Sequence, residues 1–262
     1  MKELLYFIVI VFANTLGAIS GMGGGVIIRP LFEFLAQDSI VSITFYSTIA
    51  VFVMSIVSTI RQQQSGVRVR LNRLLPLAIG SLIGGVIGDS VFHAIINFIG
   101  RTQTQSLQII LMILMLLFCL VSANGKIQQF KYDSFVAFGL CGVLLGTVSS
   151  FLGIGGGPIN VSMLMILFSI PVKEATVFSI ATILFSQFSK IISLFLIQKF
   201  SEYRIETLAV VILAAVFGGI MGAQLNKMLS NEKVLVVFKW IVSLMILLNL
   251  YNLFHVIWYM TL

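Results

Sequence analysis

The amino-acid sequence predicts an all-α polytopic membrane protein built from two repeated halves. Three observations predict this fold class: an apolar composition, long runs without charge, and a glycine-rich pattern that occurs twice. Of the 262 residues, 59% are hydrophobic and 10% are charged, whereas soluble proteins carry about 25% charged residues. So few polar side chains cannot cover the surface of a water-soluble protein.

The uncharged runs are long enough to cross a bilayer as helices, which takes about 20 apolar residues for each crossing. The longest runs cover residues 39–60, 106–123, 134–172, 207–226 and 240–262. They do not alternate apolar and polar residues as the strands of a membrane β-barrel do. The net charge of +7 lies in short loops beside these runs, where membrane topology and anionic lipid explain it better than nucleic acid does.

The chain resembles itself at an offset of 132 residues. The glycine cluster 21–25 matches 153–157, and the glycines of 84–88 match those of 218–222 at an offset of 134. One glycine cluster could arise by chance, whereas matched clusters in the same order indicate a duplicated unit.

Residues 1–128 form the first predicted transmembrane repeat and residues 129–262 the second, within one integral membrane domain. Each half predicts five helical segments. These segments cover 4–20, 25–37, 40–60, 74–98 and 105–123, and then 134–152, 158–170, 173–198, 206–228 and 234–260. The second segment of each half reaches only about 20 Å, which is too short to span, so the glycine clusters interrupt the chain at membrane depth. Matched interruptions in two halves are a pointer to a transporter's binding site.

Basic loops predict the orientation of the chain. The loop 61–73 carries four arginines, which the positive-inside rule places in the cytoplasm, and the two lysines of the link 124–133 agree. If Lys2 and the loop 199–204 also lie inside, the halves are parallel. If the short segments count as full crossings, the halves are inverted. We favour both chain ends inside.

The glycine clusters are the first candidate binding site, because glycine lets backbone N–H groups approach a ligand closely. The candidate residues are Gly23, Gly24, Gly25, Gly155, Gly156 and Gly157. Pro158 favours a helix start, which would direct free N–H groups and a positive helix end towards an anion. The alternative is close helix packing, which we favour for the glycines of 84–88 and 218–222.

Four hydroxyl side chains repeat between the halves: Thr44 and Ser47 match Thr176 and Ser179. Each pair is spaced i, i+3 and so shares one face of a helix. The hydroxyls could bind the oxygens of a substrate, or equally bond neighbouring helices and their own backbone.

Charged residues inside the apolar runs are further candidates. Lys190 lies deep in its run, where an ionised group costs about 2.5–3.5 kcal/mol on insertion scales, so a binding role is favoured over snorkelling to the interface. Arg29 is a second substrate-binding candidate and is spaced to pair with Glu33. Asp89, spaced to pair with His93, is the candidate for a coupling ion, or else lies at the far membrane face.

We expect no enzyme chemistry, because the sequence has no zinc-protease, phosphate-loop or cysteine–histidine motif. Cys119 and Cys141 lie in apolar runs and are interpreted as core residues. No cofactor and no metal site are implied.

The repeated break resembles the sulfite exporter TauE/SafE family over essentially the whole chain. The resemblance lies in the break 21–25 running on to Pro30, its repeat at 153–158, and the glycine helices 84–88 and 218–222. It implies a permease of the cell membrane with about eight spans, associated with sulfite, organosulfonates and related sulfur-containing anions.

The sequence therefore predicts a multi-pass transporter for a small anion, with the lipid bilayer as its other partner and no nucleic acid. A central site would lie between the halves, and one half would move against the other. The two half-sites are not expected to be equivalent, because Ser58 stands at the repeat position of Lys190. The alternatives are a passive anion channel, and a membrane scaffold or intramembrane enzyme.

Overall fold

The computed structural model describes residues 2–35, 40–64, 70–125, 127–153, 156–197 and 204–261. Over these ranges the chain forms ten α-helices and no strand, which confirms the all-α membrane fold. In chain order they are α1 (Lys2–Ser20), α2 (Gly25–Leu35), α3 (Ile40–Gln64), α4 (Leu71–Ile99), α5 (Arg101–Ala123), α6 (Phe135–Leu152), α7 (Gly157–Phe168), α8 (Val172–Ile197), α9 (Ile205–Met228) and α10 (Asn231–Thr261).

Within the described ranges, eight of these helices are long and apolar enough to cross a membrane. The two others, α2 and α7, are the short second segments that the sequence predicts for each half. The 12 residues of α7 extend about 18 Å, which is well short of the hydrocarbon thickness of about 30 Å.

Glycines pack α4 directly on α6, and α9 directly on α1. A Cβ atom added at Gly84 would overlap the carbonyl oxygen of Val143, and one added at Gly218 would lie 2.9 Å from the carbonyl oxygen of Val11. Both pairs of helices approach so closely because these positions have no side chain. The prediction that these glycines serve helix packing is therefore confirmed.

The helices of the two predicted halves are exchanged in space. Helix α9 packs on α1 and α3, whereas α4 packs on α6 and α8. We call α1, α2, α3 and α9 the first bundle, and α4, α6, α7 and α8 the second bundle. The bundles meet where α3 contacts α8, and α5 packs along α10 beside them. This symmetrical exchange supports the repeat, while the boundary between residues 1–128 and 129–262 stays a prediction.

The contacts between helices within each bundle show in which direction each helix runs. In the first bundle, the Arg204 N–H donates to the Tyr46 hydroxyl over 3.1 Å and the Ser58 hydroxyl donates to the Gly219 carbonyl over 3.2 Å. The contacts therefore advance along α3 and α9 together, so these two helices are parallel. In the second bundle, the Ser81 hydroxyl donates to the Thr182 carbonyl and Gly85 lies against Ser189. These contacts advance along α4 and α8 together, so these two helices are likewise parallel.

The two bundles run in opposite directions. At the start of α8, the Lys173 ammonium donates to the carbonyls of Lys227 and Leu229 over 3.2 and 2.8 Å. These carbonyls belong to the end of α9, so α8 begins where α9 ends. The two bundles are therefore antiparallel, which is the arrangement expected of inverted repeats in which α2 and α7 return the chain between parallel long helices.

The short helix α7 does return the chain to the level where α6 begins. The Phe130 and Tyr132 N–H groups, just before α6, donate to the carbonyls of Ile166 and Leu167 at the end of α7 over 2.7 and 3.1 Å. Although α7 is too short to span, the chain therefore reverses its direction between the end of α6 and the end of α7.

This geometry corrects the expected orientation of the chain ends. Arg73 bonds Asp133 with both guanidinium branches, at 3.0 and 2.9 Å, and holds the pKa of that exposed carboxyl below its ordinary value. This ion pair puts the start of α4 and the residues just before α6 on one face, which we call the arginine face. Lys2 and Arg204 lie at the opposite ends of their helices. The expectation that the chain ends share the cytoplasmic side with the arginines is therefore wrong, because the short helices reverse the chain.

Candidate functional site

The first break joins α1 to α2 through residues 21–24. Gly21 and Gly23 have φ angles of 73° and 72°, which L side chains rarely adopt. A Cβ atom at Gly24 would overlap the side-chain oxygen of Asn14. The first break is thus closely packed, and Gly25 is already the first residue of α2.

The second break, residues 153–156, joins α6 to α7. Gly153 ends α6 in the left-handed conformation, and Gly156 has a φ of 130°. Gly157 begins α7 and Pro158 follows it, so the predicted helix start is confirmed within one residue. The first N–H groups of a helix have no partner within it, and the residue before α7, Gly156, has no side chain to cap them. Gly155 lies outside the described residues.

The two breaks meet at one side chain, Ile183, near the middle of α8. A Cβ atom added at Gly23 would lie 3.1 Å from Ile183 Cδ1, and one added at Gly156 would overlap Ile183 Cγ1. Ile183 is fully buried. The two breaks therefore approach each other, as the sequence predicts, at a residue in the middle of a helix long enough to span, while their depth in the bilayer stays a prediction.

Two cationic side chains from different halves converge on the second break. A Cβ atom at Gly153 would lie 2.5 Å from Arg29 Nη1 and 3.8 Å from Lys190 Nζ. Arg29 also donates to the Leu152 carbonyl over 3.5 Å. Two cations at the carbonyl end of α6 are attracted by its partial negative charge of about half an elementary charge.

Asp89 follows one helical turn after Gly85, which lies against Ser189, so α4 places an acidic residue beside the part of α8 that carries Lys190. On its other side Asp89 approaches His93, with 3.9 Å between Oδ2 and Nε2, so the predicted i, i+4 pair is formed. The side chain of Glu33, the expected partner of Arg29, lies outside the described residues. Lys190 thus faces other charged groups of the protein, which favours a role in a site over snorkelling.

The repeated hydroxyls separate into two pairs. Ser179 donates to the Gly21 carbonyl over 2.5 Å, and Thr176 donates to the Lys173 carbonyl over 2.7 Å. Their hydrogens are used by the protein itself, and the remaining oxygen lone pairs do not suit an anion. Ser47 is buried and Thr44 partly exposed. For Thr176 and Ser179, hydrogen bonding to the protein itself is therefore favoured over binding of a substrate.

Asn160, in the first turn of α7, is a site residue that the sequence reasoning missed. Its carboxamide nitrogen is 2.9 Å from the position of a Cβ atom at Gly156. The residue is fully buried, and neither its Nδ2 nor its Oδ1 has a hydrogen-bond partner among the described residues. Leaving such a buried group unpaired costs about 1–3 kcal/mol. The signal available in the sequence is that Ile28 stands at the repeat position of Asn160.

The described residues contain no group of three or more His, Cys, Asp or Glu side chains that could hold a metal ion. Cys119 and Cys141 are buried, in agreement with their interpretation as core residues.

Comparison with known proteins agrees with this architecture. The model of a family described as Sulfite exporter TauE/SafE matches residues 6–251. The chain belongs to this family. It is also 24% identical, over 252 residues and 92% of each chain, to a probable membrane transporter protein of Methanocaldococcus jannaschii. With eight helices able to span a membrane among the described residues, this TauE/SafE protein is a multi-pass membrane transporter.

Proposed function

We propose that this TauE/SafE protein carries small anions across the cell membrane, and that sulfite, organosulfonates or related sulfur-containing anions are its substrates. The convergence of Arg29 and Lys190 on the second break carries the proposal. Two cations from different helices beside the positive end of α7 form an environment that stabilises an anion and disfavours a cation.

The anion lies between α7 and the cationic cluster in this proposal. The free N–H groups at Gly156 and Gly157 contribute about half an elementary charge, and Lys190 and Arg29 supplement it. Asp89 is proposed as the group through which a proton or cation is coupled to transport, because it is an acidic residue on α4 beside the part of α8 that carries Lys190.

Movement of one bundle against the other opens the site to each side in turn. Because α4 and α9 are exchanged, the moving parts are the two bundles and not the two chain halves. Their contact between α3 and α8 runs beside Ile183, where the two breaks meet. A transporter that alternates access around a fixed central site uses this kind of relative motion.

The first test is binding and transport of anions by the purified protein in liposomes, screened with sulfite, sulfate, thiosulfate, sulfoacetate and simple carboxylates. For the anion that binds, Lys190→Gln is expected to weaken affinity by about ten- to a hundredfold, the loss of one charge-assisted hydrogen bond. Lys239→Gln removes a partly exposed lysine from α10 and is the matched control, expected to bind as the unmodified protein does.

Normal affinity in Lys190→Gln would show that Lys190 is not part of the site. A passive channel would instead show flux that does not saturate with anion concentration. Protein that moves no anion under any gradient would favour a membrane scaffold or an intramembrane enzyme.

A further inference from the structure

Asn160 differs in its chemistry from the other groups at the second break. The N–H groups of α7, the Arg29 guanidinium and the Lys190 ammonium are hydrogen-bond donors. A carboxamide has two donor hydrogens and an acceptor oxygen. Both polar atoms of Asn160 are buried and without a partner among the described residues, so an occupant that satisfies them must accept one hydrogen bond and donate another.

We propose that Asn160 determines the specificity of the site and selects oxyanions that keep one hydroxyl hydrogen. The inference rests on the proposed anion transport and names the substrate class more closely. Hydrogen sulfite belongs to this class, because one of its oxygens carries a hydrogen and the others share the negative charge. Its charged oxygens accept from Asn160 Nδ2 and the α7 amides, while its hydroxyl donates to Asn160 Oδ1.

An anion without such a hydrogen leaves the Asn160 oxygen buried and unpaired. Methanesulfonate is the informative comparison, because it is a monoanion with three oxygens on sulfur, as hydrogen sulfite is, but none of its oxygens carries a hydrogen. Sites built to bond a substrate hydroxyl reject analogues that lack it, since a buried polar group then loses its partner. Exchange of the Nδ2 and Oδ1 positions leaves the inference unchanged, because both atoms lack partners among the residues that the structure describes.

The position of Asn160 favours a role in ligand binding over a role in folding. A structural asparagine, such as Asn249 on α10, uses its amide to bond the protein, here the Met245 carbonyl over 2.8 Å. Asn160 makes no such bond to the described residues. Replacing an unpaired buried amide by an apolar group of similar shape removes a cost and leaves the empty protein as stable or more stable.

The test compares the affinities of hydrogen sulfite and methanesulfonate for the purified full-length protein by calorimetry, at mildly acidic pH. The unmodified protein is expected to bind hydrogen sulfite at least about tenfold tighter. Asn160→Leu is expected to lose this preference, with methanesulfonate affinity changed by less than about threefold, and to keep or raise the melting temperature of the empty protein. Asn249→Leu is the control that keeps the preference, and Asn160→Ala replaces the leucine variant if that variant does not fold.

The inference is overturned if Asn160→Leu keeps the preference for hydrogen sulfite, whether or not its melting temperature falls. Equal affinities for the two anions in the unmodified protein also overturn it, while leaving anion transport standing. Binding of neither these two anions nor any anion of the wider screen overturns both proposals.

Discussion

At the scale of single residues, the second break depends on glycine for two separate reasons. Gly156 has a φ of 130° and its missing side chain leaves room for Ile183. We predict that Gly156→Val abolishes anion binding, because the added carbons collide with Ile183 and the Asn160 amide and so displace the start of α7. Calorimetry with the anion identified by the screen measures the loss.

Gly125 provides the matched control for that substitution. It also has a positive φ, 71°, but nothing lies within 4 Å of an added Cβ atom. Gly125→Val therefore introduces backbone strain of about 1–3 kcal/mol without filling the site. Retained binding in Gly156→Val would rule out the backbone cradle, whereas lost binding in both variants would assign the effect to strain.

Residues differ in how far the sequence reveals their roles. Lys190 is evident from the sequence, because a lone cation in an apolar run is costly. The sequence gives Arg29 as a binding candidate that is spaced to pair with Glu33 on its own helix. Its approach to Gly153 is a contact between the two halves, which that spacing does not predict. Asn160 has no signal of its own, since one amide in an apolar helix is compatible with many hydrogen-bonded positions.

At the scale of helices, the sequence predicts every element but not its direction. All ten predicted segments are observed, because apolar run length and glycine breaks are local properties. Whether α2 and α7 reverse the chain depends on contacts such as that of Phe130 with Ile166, which no local pattern encodes. The parallel and inverted arrangements therefore remain open at the level of sequence.

The directions of the helices predict which loops face the cytoplasm. Among the described residues, the arginine face carries more positive charge than the opposite face, so the positive-inside rule places it in the cytoplasm. The described basic residues near the arginine face are Arg61, Arg70, Arg73, Lys131, Lys173, Lys227 and Lys233, and those near the opposite face are Lys2, Arg101 and Arg204. Both ends of the helical array then lie outside.

Cysteine labelling in intact cells tests this orientation, in a background where Cys119 and Cys141 are replaced by alanine. Gln64 and Glu206 are exposed at opposite faces. A membrane-impermeant maleimide is expected to label Glu206→Cys and to leave Gln64→Cys unlabelled until the cells are permeabilised. The reverse pattern would invert the orientation, and equal labelling of both would contradict the separation of the two faces.

At the scale of the whole molecule, exchange of helices defines which contacts must change during transport. Phe52 and Phe188 join the two bundles, with ring centroids 6.1 Å apart. Phe7 and Phe217 lie within the first bundle at 6.0 Å. We predict that a short thiol cross-link between Phe52→Cys and Phe188→Cys stops transport, because it fixes the bundles relative to each other.

The same cross-link between Phe7→Cys and Phe217→Cys is the matched control and is expected to leave transport intact, although it joins the two chain halves. Transport measured in liposomes before and after cross-linking gives the comparison. Inhibition by the second cross-link alone would mean that the chain halves, and not the bundles, are the moving parts.

Exchange of helices also has a consequence for how the protein is made. The partner of α1 is α9, about 200 residues later in the chain, and at roughly 5–20 residues per second a ribosome needs about 10–40 s to synthesise that distance. During this interval the small-residue face of α1 stays in the membrane without its final partner. A first half produced alone would keep that face unmatched indefinitely, so biogenesis favours rapid completion of the whole chain over assembly of two independently stable parts.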